Sequence, residues 1–120
     1  MSQLAQEVAP ETTQSAVTGS LSMLGTYLVT FNFPQSTTSS RTVSAAIQNP
    51  PAGTQTVTIA MQSFDVYYTD NEHYDFGRLA VSISASGTTS ASCSVTLRDN
   101  NVNEREWEGT VRGLVTFYGI

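Results

Sequence analysis

Lysine is absent from this 120-residue chain, and five arginines face ten acids, a net charge of −5 at pH 7. So few cations cannot neutralise a phosphate backbone, which excludes a nucleic-acid binder, and the negative balance repels anionic membranes as well. There is one cysteine, so an intramolecular disulfide framework and a cysteine-based zinc site are both excluded. A lone unpaired cysteine also fits synthesis in a reducing compartment. The single histidine cannot build a zinc site without a cysteine cluster around it. No stretch approaches the roughly 20 apolar residues of a membrane span. The start, MSQLAQEVAPETTQ, has neither a basic region nor an apolar run of signal-peptide length. Charged residues make up 12% of the chain, too few for a solvated coiled coil or a charge-rich disordered tail. These absences lead to the expectation of one soluble domain made in a cytoplasm, free or assembled later into a larger particle.

What the chain has instead is hydroxyls: 15 serines and 17 threonines, about a quarter of all residues. Residues 1–15 are polar, with Pro10 and little periodicity, and read as an N-terminal arm, with plain disorder as the alternative. Residues 16–120 read as a single domain of strands. Tyr27, Val29, Phe31 and Phe33 alternate with Leu28, Thr30 and Asn32, and Pro34 is expected to end that strand. Val43, Ala45 and Ile47 share a face before the turn signal NPPAG, Asn49 to Gly53. Gln55 to Tyr68 is the longest candidate, alternating at Val57, Ile59 and Met61; its mixed polarity from Ser63 onward predicts a bulge or a change of face. Leu79, Val81, Ile83 and Ala85 follow, then a Gly87-Thr88-Thr89 turn. Ala91, Cys93, Val95 and Leu97 come next, and Val111, Gly113, Val115 and Phe117 lie in a last strand from Trp107 to Tyr118. No apolar stripe at helical spacing occurs. Six to seven strands separated by turn signals predict an all-β fold, a small antiparallel β-sandwich or barrel.

Three stretches resemble a known family: VTIAMQSFDV (Val57 to Val66), GRLAVSISASGTTSASCSVTLRDN (Gly77 to Asn100) and VRGLVTFYG (Val111 to Gly119). They are similar to the H-type lectin domain, with the FNFP segment before Pro34 as a weaker match. The resemblance implies a six-stranded antiparallel sandwich that binds N-acetylgalactosamine-type sugars as trimers or stacked trimers. It implies carbohydrate contacts at Arg78, which stands at the family's arginine leading a central strand, and at Leu97, Arg98 and Asp99, near the family's sugar loop. That loop holds no Trp or His here, which implies a sugar specificity different from the family's usual one.

The residues themselves mark two acidic loops. Thr69 to Gly77 carries Asp70, Glu72, His73 and Asp75, with Asp65 just before it; Asp99 to Glu106 carries Asp99, Glu104 and Glu106, with Glu108 just after. Asp70, Glu72 and Asp75 are candidate calcium ligands, since calcium takes six to eight oxygens. Their spacing is not that of an EF-hand, and a solvated loop is the alternative. Tyr67, His73, Tyr74 and Trp107 border these loops as candidate secondary sugar contacts; covering a sheet end is the alternative for the aromatics. Cys93, on the apolar face of its strand, reads as a small buried hydrophobe. Thr56, Thr58, Ser82, Ser84, Ser90, Ser92, Ser94 and Thr96 form outward rows of short hydroxyls, suited to contact between subunits or simply to strand propensity.

No nucleophile motif accompanies His73, and no enzymatic activity is expected. Two functions remain. One is a carbohydrate-binding module acting as a homotrimer or multiple of trimers on glycans. The other is a bacteriophage virion component, a decoration, tail or receptor-binding fibre protein, docking on other virion proteins through residues 1–15. No cofactor is expected beyond the calcium candidate.

Overall fold

A computed structural model describes residues 20–69, 76–99 and 105–120. The expected arm, residues 1–15, and the acidic loop residues 70–75 lie outside the described residues. Alternation with a period of two becomes six strands: β1 (Ser22–Ser36), β2 (Ser40–Ala46), β3 (Thr54–Tyr68), β4 (Phe76–Ser86), β5 (Ser90–Asp99) and β6 (Trp107–Gly119). They form two antiparallel three-stranded sheets, ordered β1-β6-β3 and β2-β5-β4. Stacked face to face, with β1 over β2 and β3 over β4, they make the β-sandwich that the pattern called for.

Pro34 does not end β1. The strand runs on to Ser36, with a register shift between Phe33 and Ser36. β1 is an edge strand, and at an edge a proline without an N–H leaves no neighbour short of a ladder bond. The irregularity expected after Met61 is a register shift between Met61 and Ser63. The turn before β3 closes by Thr54 N donating to Pro51 O at 3.1 Å, and Gly53 takes φ 88° within it, where glycine alone is unstrained.

The inward rows carry the core. Val29, Phe31 and Phe33 from β1, Ala91, Cys93, Val95 and Leu97 from β5, and Trp107, Val111, Val115 and Phe117 from β6 are all buried, with Ile47 beside them. Burial pushes the Cys93 thiol pKa up, which keeps it protonated and unreactive. Outward, the β2-β5-β4 sheet presents Ser40, Thr42, Ser44, Ser90, Ser92, Ser94, Thr96, Ser82, Ser84 and Ser86, with Ala46 and Ala80. Neighbouring hydroxyls bond across the ladder, Ser40 to Thr96 at 2.8 Å and Thr42 to Ser94 at 2.7 Å. Thr56 and Thr58 belong to the other sheet. The β1/β2 edge is sealed by a stack. The Arg41 guanidinium lies 3.7 Å from the centre of the Trp107 ring, and Trp107 stacks on Phe33 with ring centres 5.8 Å apart. Arg41 donates to the carbonyls of Pro34 and Trp107, and the indole N–H donates to Thr38 O at 2.9 Å.

Replacing a fully buried tryptophan leaves a large cavity and orphans the groups it held. Trp107→Ala is expected to destabilise the fold by about 3–5 kcal/mol, read as a lower midpoint in urea denaturation.

Candidate functional site

Two groups of candidate side chains sit at one end of the sandwich, where β3 and β5 finish and β4 and β6 begin. The first is on the hydroxyl-lined sheet. Arg78 and Arg98 are direct ladder partners on the outward face, Arg78 exposed and Arg98 half-buried. Like charges facing each other across a ladder cost energy unless something else meets them. Neither forms an ion pair within the described residues.

Leu97 and Asp99, the other two residues assigned to sugar contact by the resemblance, point the opposite way. Strand alternation turns both inward: Leu97 is in the core and Asp99 is fully buried. Arg105 Nε donates to Asp99 Oδ2 at 3.0 Å, an ion pair joining the end of β5 to the approach to β6. A carboxylate buried this way needs its cation, because the uncompensated charge would be costly. Gly77 belongs to the same construction: a Cβ there would lie 2.5 Å from the carbonyl carbon and oxygen of Asp99. Leu97 and Asp99 therefore brace the strand that presents Arg98.

The second group lies on the outward face of the β1-β6-β3 sheet. Asn32, Thr110 and Asp65 form one cross-strand row, and Glu108 and Tyr67 the next. With Pro34 at the rim and Phe33 and Gly109 beneath, they line a groove of about 300 Å³. Gly109 lets the strands close up under it, since a Cβ there would sit 2.5 Å from Asp65 O and 2.7 Å from Val66 Cα. Tyr67, half-exposed, donates its hydroxyl to Glu108 Oε2 at 2.7 Å. That hydrogen bond, and next the charge on Glu108, push the phenol pKa up from the ordinary tyrosine value. Behind the groove, Thr69 N donates to Glu106 O at 2.8 Å and its hydroxyl donates to Glu106 Oε1 at 3.2 Å, tying the ends of the strands together.

The groove has carboxylates that accept hydrogen bonds, an amide and a threonine hydroxyl that both give and accept, and a ring face for apolar contact. Of the secondary candidates, Tyr67 is in the groove, whereas Trp107 is fully buried and serves packing. His73, Tyr74 and the calcium candidates Asp70, Glu72 and Asp75 lie outside the described residues. Asn32, Pro34 and Thr110 carried no signal of their own; they join the groove because β1 and β3 flank β6. Within the described residues no group of three potential metal ligands occurs, and no helix is long and apolar enough to cross a membrane.

No family model matches the chain, and neither curated proteins nor solved structures yield a significant match.

Glu108→Gln removes the charge that favours the protonated phenol, so Tyr67 is expected to titrate at lower pH in this variant, measured by ultraviolet difference absorbance. The sign follows from linkage. A phenol whose folded pKa is raised contributes stability that is present below its unfolded pKa and lost as pH rises through the folded one.

Proposed function

We propose that this chain is a carbohydrate-binding, lectin-like β-sandwich that works as an oligomer, with its sugar site at a subunit boundary. The observation that carries this reading is the groove of about 300 Å³ that the exposed Tyr67 ring lines together with Asp65, Glu108 and Asn32. Its volume is at the lower end of small-ligand sites, the right scale for one sugar ring. The carboxylates and Asn32 accept hydrogen bonds from sugar hydroxyls, and the phenol ring packs on the apolar face of the pyranose. Arg78 and Arg98, at the same end on the other sheet, donate to hydroxyl or acetamide oxygens of a glycan lying across the boundary. The resemblance to H-type lectins supports the same class and a trimeric assembly, in which many weak sites gain from avidity. The reading involves no catalysis, only recognition.

A second reading, a virion structural or receptor-binding component, is favoured by the outer face of the β2-β5-β4 sheet, which carries no charge between Ser86 and Ala80 and only the Arg78 and Arg98 pair at one end. Ten short hydroxyls and two alanines offer close packing without desolvating a charge. The two readings are compatible, because a receptor-binding tip is itself a sugar-binding device.

A glycan array with purified protein tests the first reading. Binding to a defined sugar class is expected, and Tyr67→Ala and Arg78→Ala should each weaken it about tenfold, equivalent to roughly 1.4 kcal/mol. No binding to any glycan by a correctly assembled protein rejects it. For the second reading, removing residues 1–15 should abolish incorporation into particles while circular dichroism still reports a folded sandwich; incorporation that survives rules out the arm as the docking element.

A further inference from the structure

The two long edges of the sandwich are built unequally. In the cross-strand row Phe31–Val111–Phe64 all three residues are on the inward face. Phe31 and Val111 are 0% exposed, but Phe64, on the β3 side, is 44% exposed. The next inward row repeats the contrast: Val29 is 3% exposed, Gly113 is buried and Met61 is 43% exposed. On the facing sheet Leu79 is 37% exposed, although its ladder partner Leu97 is buried. At the β1/β2 edge Arg41, Trp107 and Ile47 close the sandwich; at the β3/β4 edge nothing does among the described residues. Phe64, Leu79 and Met61 are core-facing side chains left in an open seam.

Charge lines this seam in a particular order. Asp65 follows Phe64 on the outward face of one sheet, and Arg78 precedes Leu79 on the outward face of the other. Asp65 is three residues from the end of β3 and Arg78 is two from the start of β4, so both belong to the same end of the edge. We infer that the β3/β4 edge is a two-fold contact surface for a second copy of this chain. A two-fold axis running along the edge, parallel to the strands, exchanges the two sheets. It sets Phe64 against Leu79 of the second copy and Asp65 against Arg78 of the second copy, and each pairing occurs twice. The surface is thus complementary to itself in both shape class and charge. The chain's own N-terminal segment fits less well: residues 1–19 hold Glu7 and Glu11 and no basic side chain, so they would meet Arg78 but repel Asp65. The contact also gives Arg78 the opposite charge it does not find among the described residues. It is separate from any three-fold packing of sheet faces.

The test reads mass in solution by sedimentation equilibrium, so that it fails or succeeds independently of the glycan array. The wild type is expected to contain an even number of chains. Phe64→Ser with Leu79→Ser should halve that mass. Since seam variants can unfold, the exposed pair gives an independent reading. Asp65→Arg alone should also halve the mass, by placing two like charges together in both pairings, and adding Arg78→Asp to it should restore the full mass. An odd number of chains in the wild type overturns the proposal. So does a mass that Asp65→Arg leaves unchanged, or one that the added Arg78→Asp does not restore. A mass that falls on removal of residues 1–15 instead assigns the seam to the arm and overturns it as well.

Discussion

The seat of Trp107 is the constraint on which the other parts rest. Its ring is the first side chain of the central strand of one sheet, and it is clamped from three directions: the Arg41 guanidinium over its face, Phe33 beside it, and Thr38 O accepting its N–H. Each clamp comes from a different place in β1, β2 or the link between them. The indole therefore fixes where β6 starts relative to both sheets at once. Glu108, Gly109 and Thr110 come next on that strand, so the groove's position is set by the same seat. A cation over an aromatic ring is worth about 0.5–2 kcal/mol, modest by itself, but here it also closes one edge of the sandwich against water.

The contrast between the two ends of each inward row follows from that closure. Residues on β1 are covered because Arg41 and Trp107 fill the gap between β1 and β2. Met61 and Phe64 on β3 have no equivalent cover among the described residues, and there the core ends in exposed apolar side chains. Polar groups follow the same division. Arg41 is used up in packing, Arg105 in neutralising Asp99, and of the five arginines Arg78, Arg98 and Arg112 are left on outward faces. Scarce charge is thus spent where a low-dielectric contact needs it or where a ligand or another subunit can reach it.

Much of this fold was legible in the residues themselves. Period-two alternation located all six strands and nearly every core residue, because a sandwich strand with one wet face has no other way to sort its side chains. Alternation also held information that loop-like composition concealed. Counting on by twos from Ala91 reaches Asp99, and counting back from Val111 reaches Trp107, and both positions are buried. Reading RDNNVNERE as a loop by its polarity hid the inward direction of Asp99. The groove was less accessible. Tyr67, Asp65 and Glu108 stand out as residues, but what joins them to Asn32 and Thr110 is that β6 lies between β1 and β3. Strand order is decided by which faces and turns fit together over long sequence distances, and no local pattern encodes it. Pro34 illustrates the same limit: it would have ended a central strand, but an edge strand tolerates it.

The order β1-β6-β3 also bears on how the chain reaches its native state. None of that sheet's strands is next to its sequence neighbour, and the central one is the last of the six to leave the ribosome. Until it arrives, β1 and β3 have no partner in their own sheet. The β4-β5 hairpin is the one adjacent pair that can form early, across the short turn at Gly87. Folding should therefore be slow for the chain's size, as expected where contacts are mostly distant in sequence. The two longest strands spend that waiting time with unpaired edges. The bulges in both, and Pro34 in the first, are features that keep a lone strand from recruiting another of its kind.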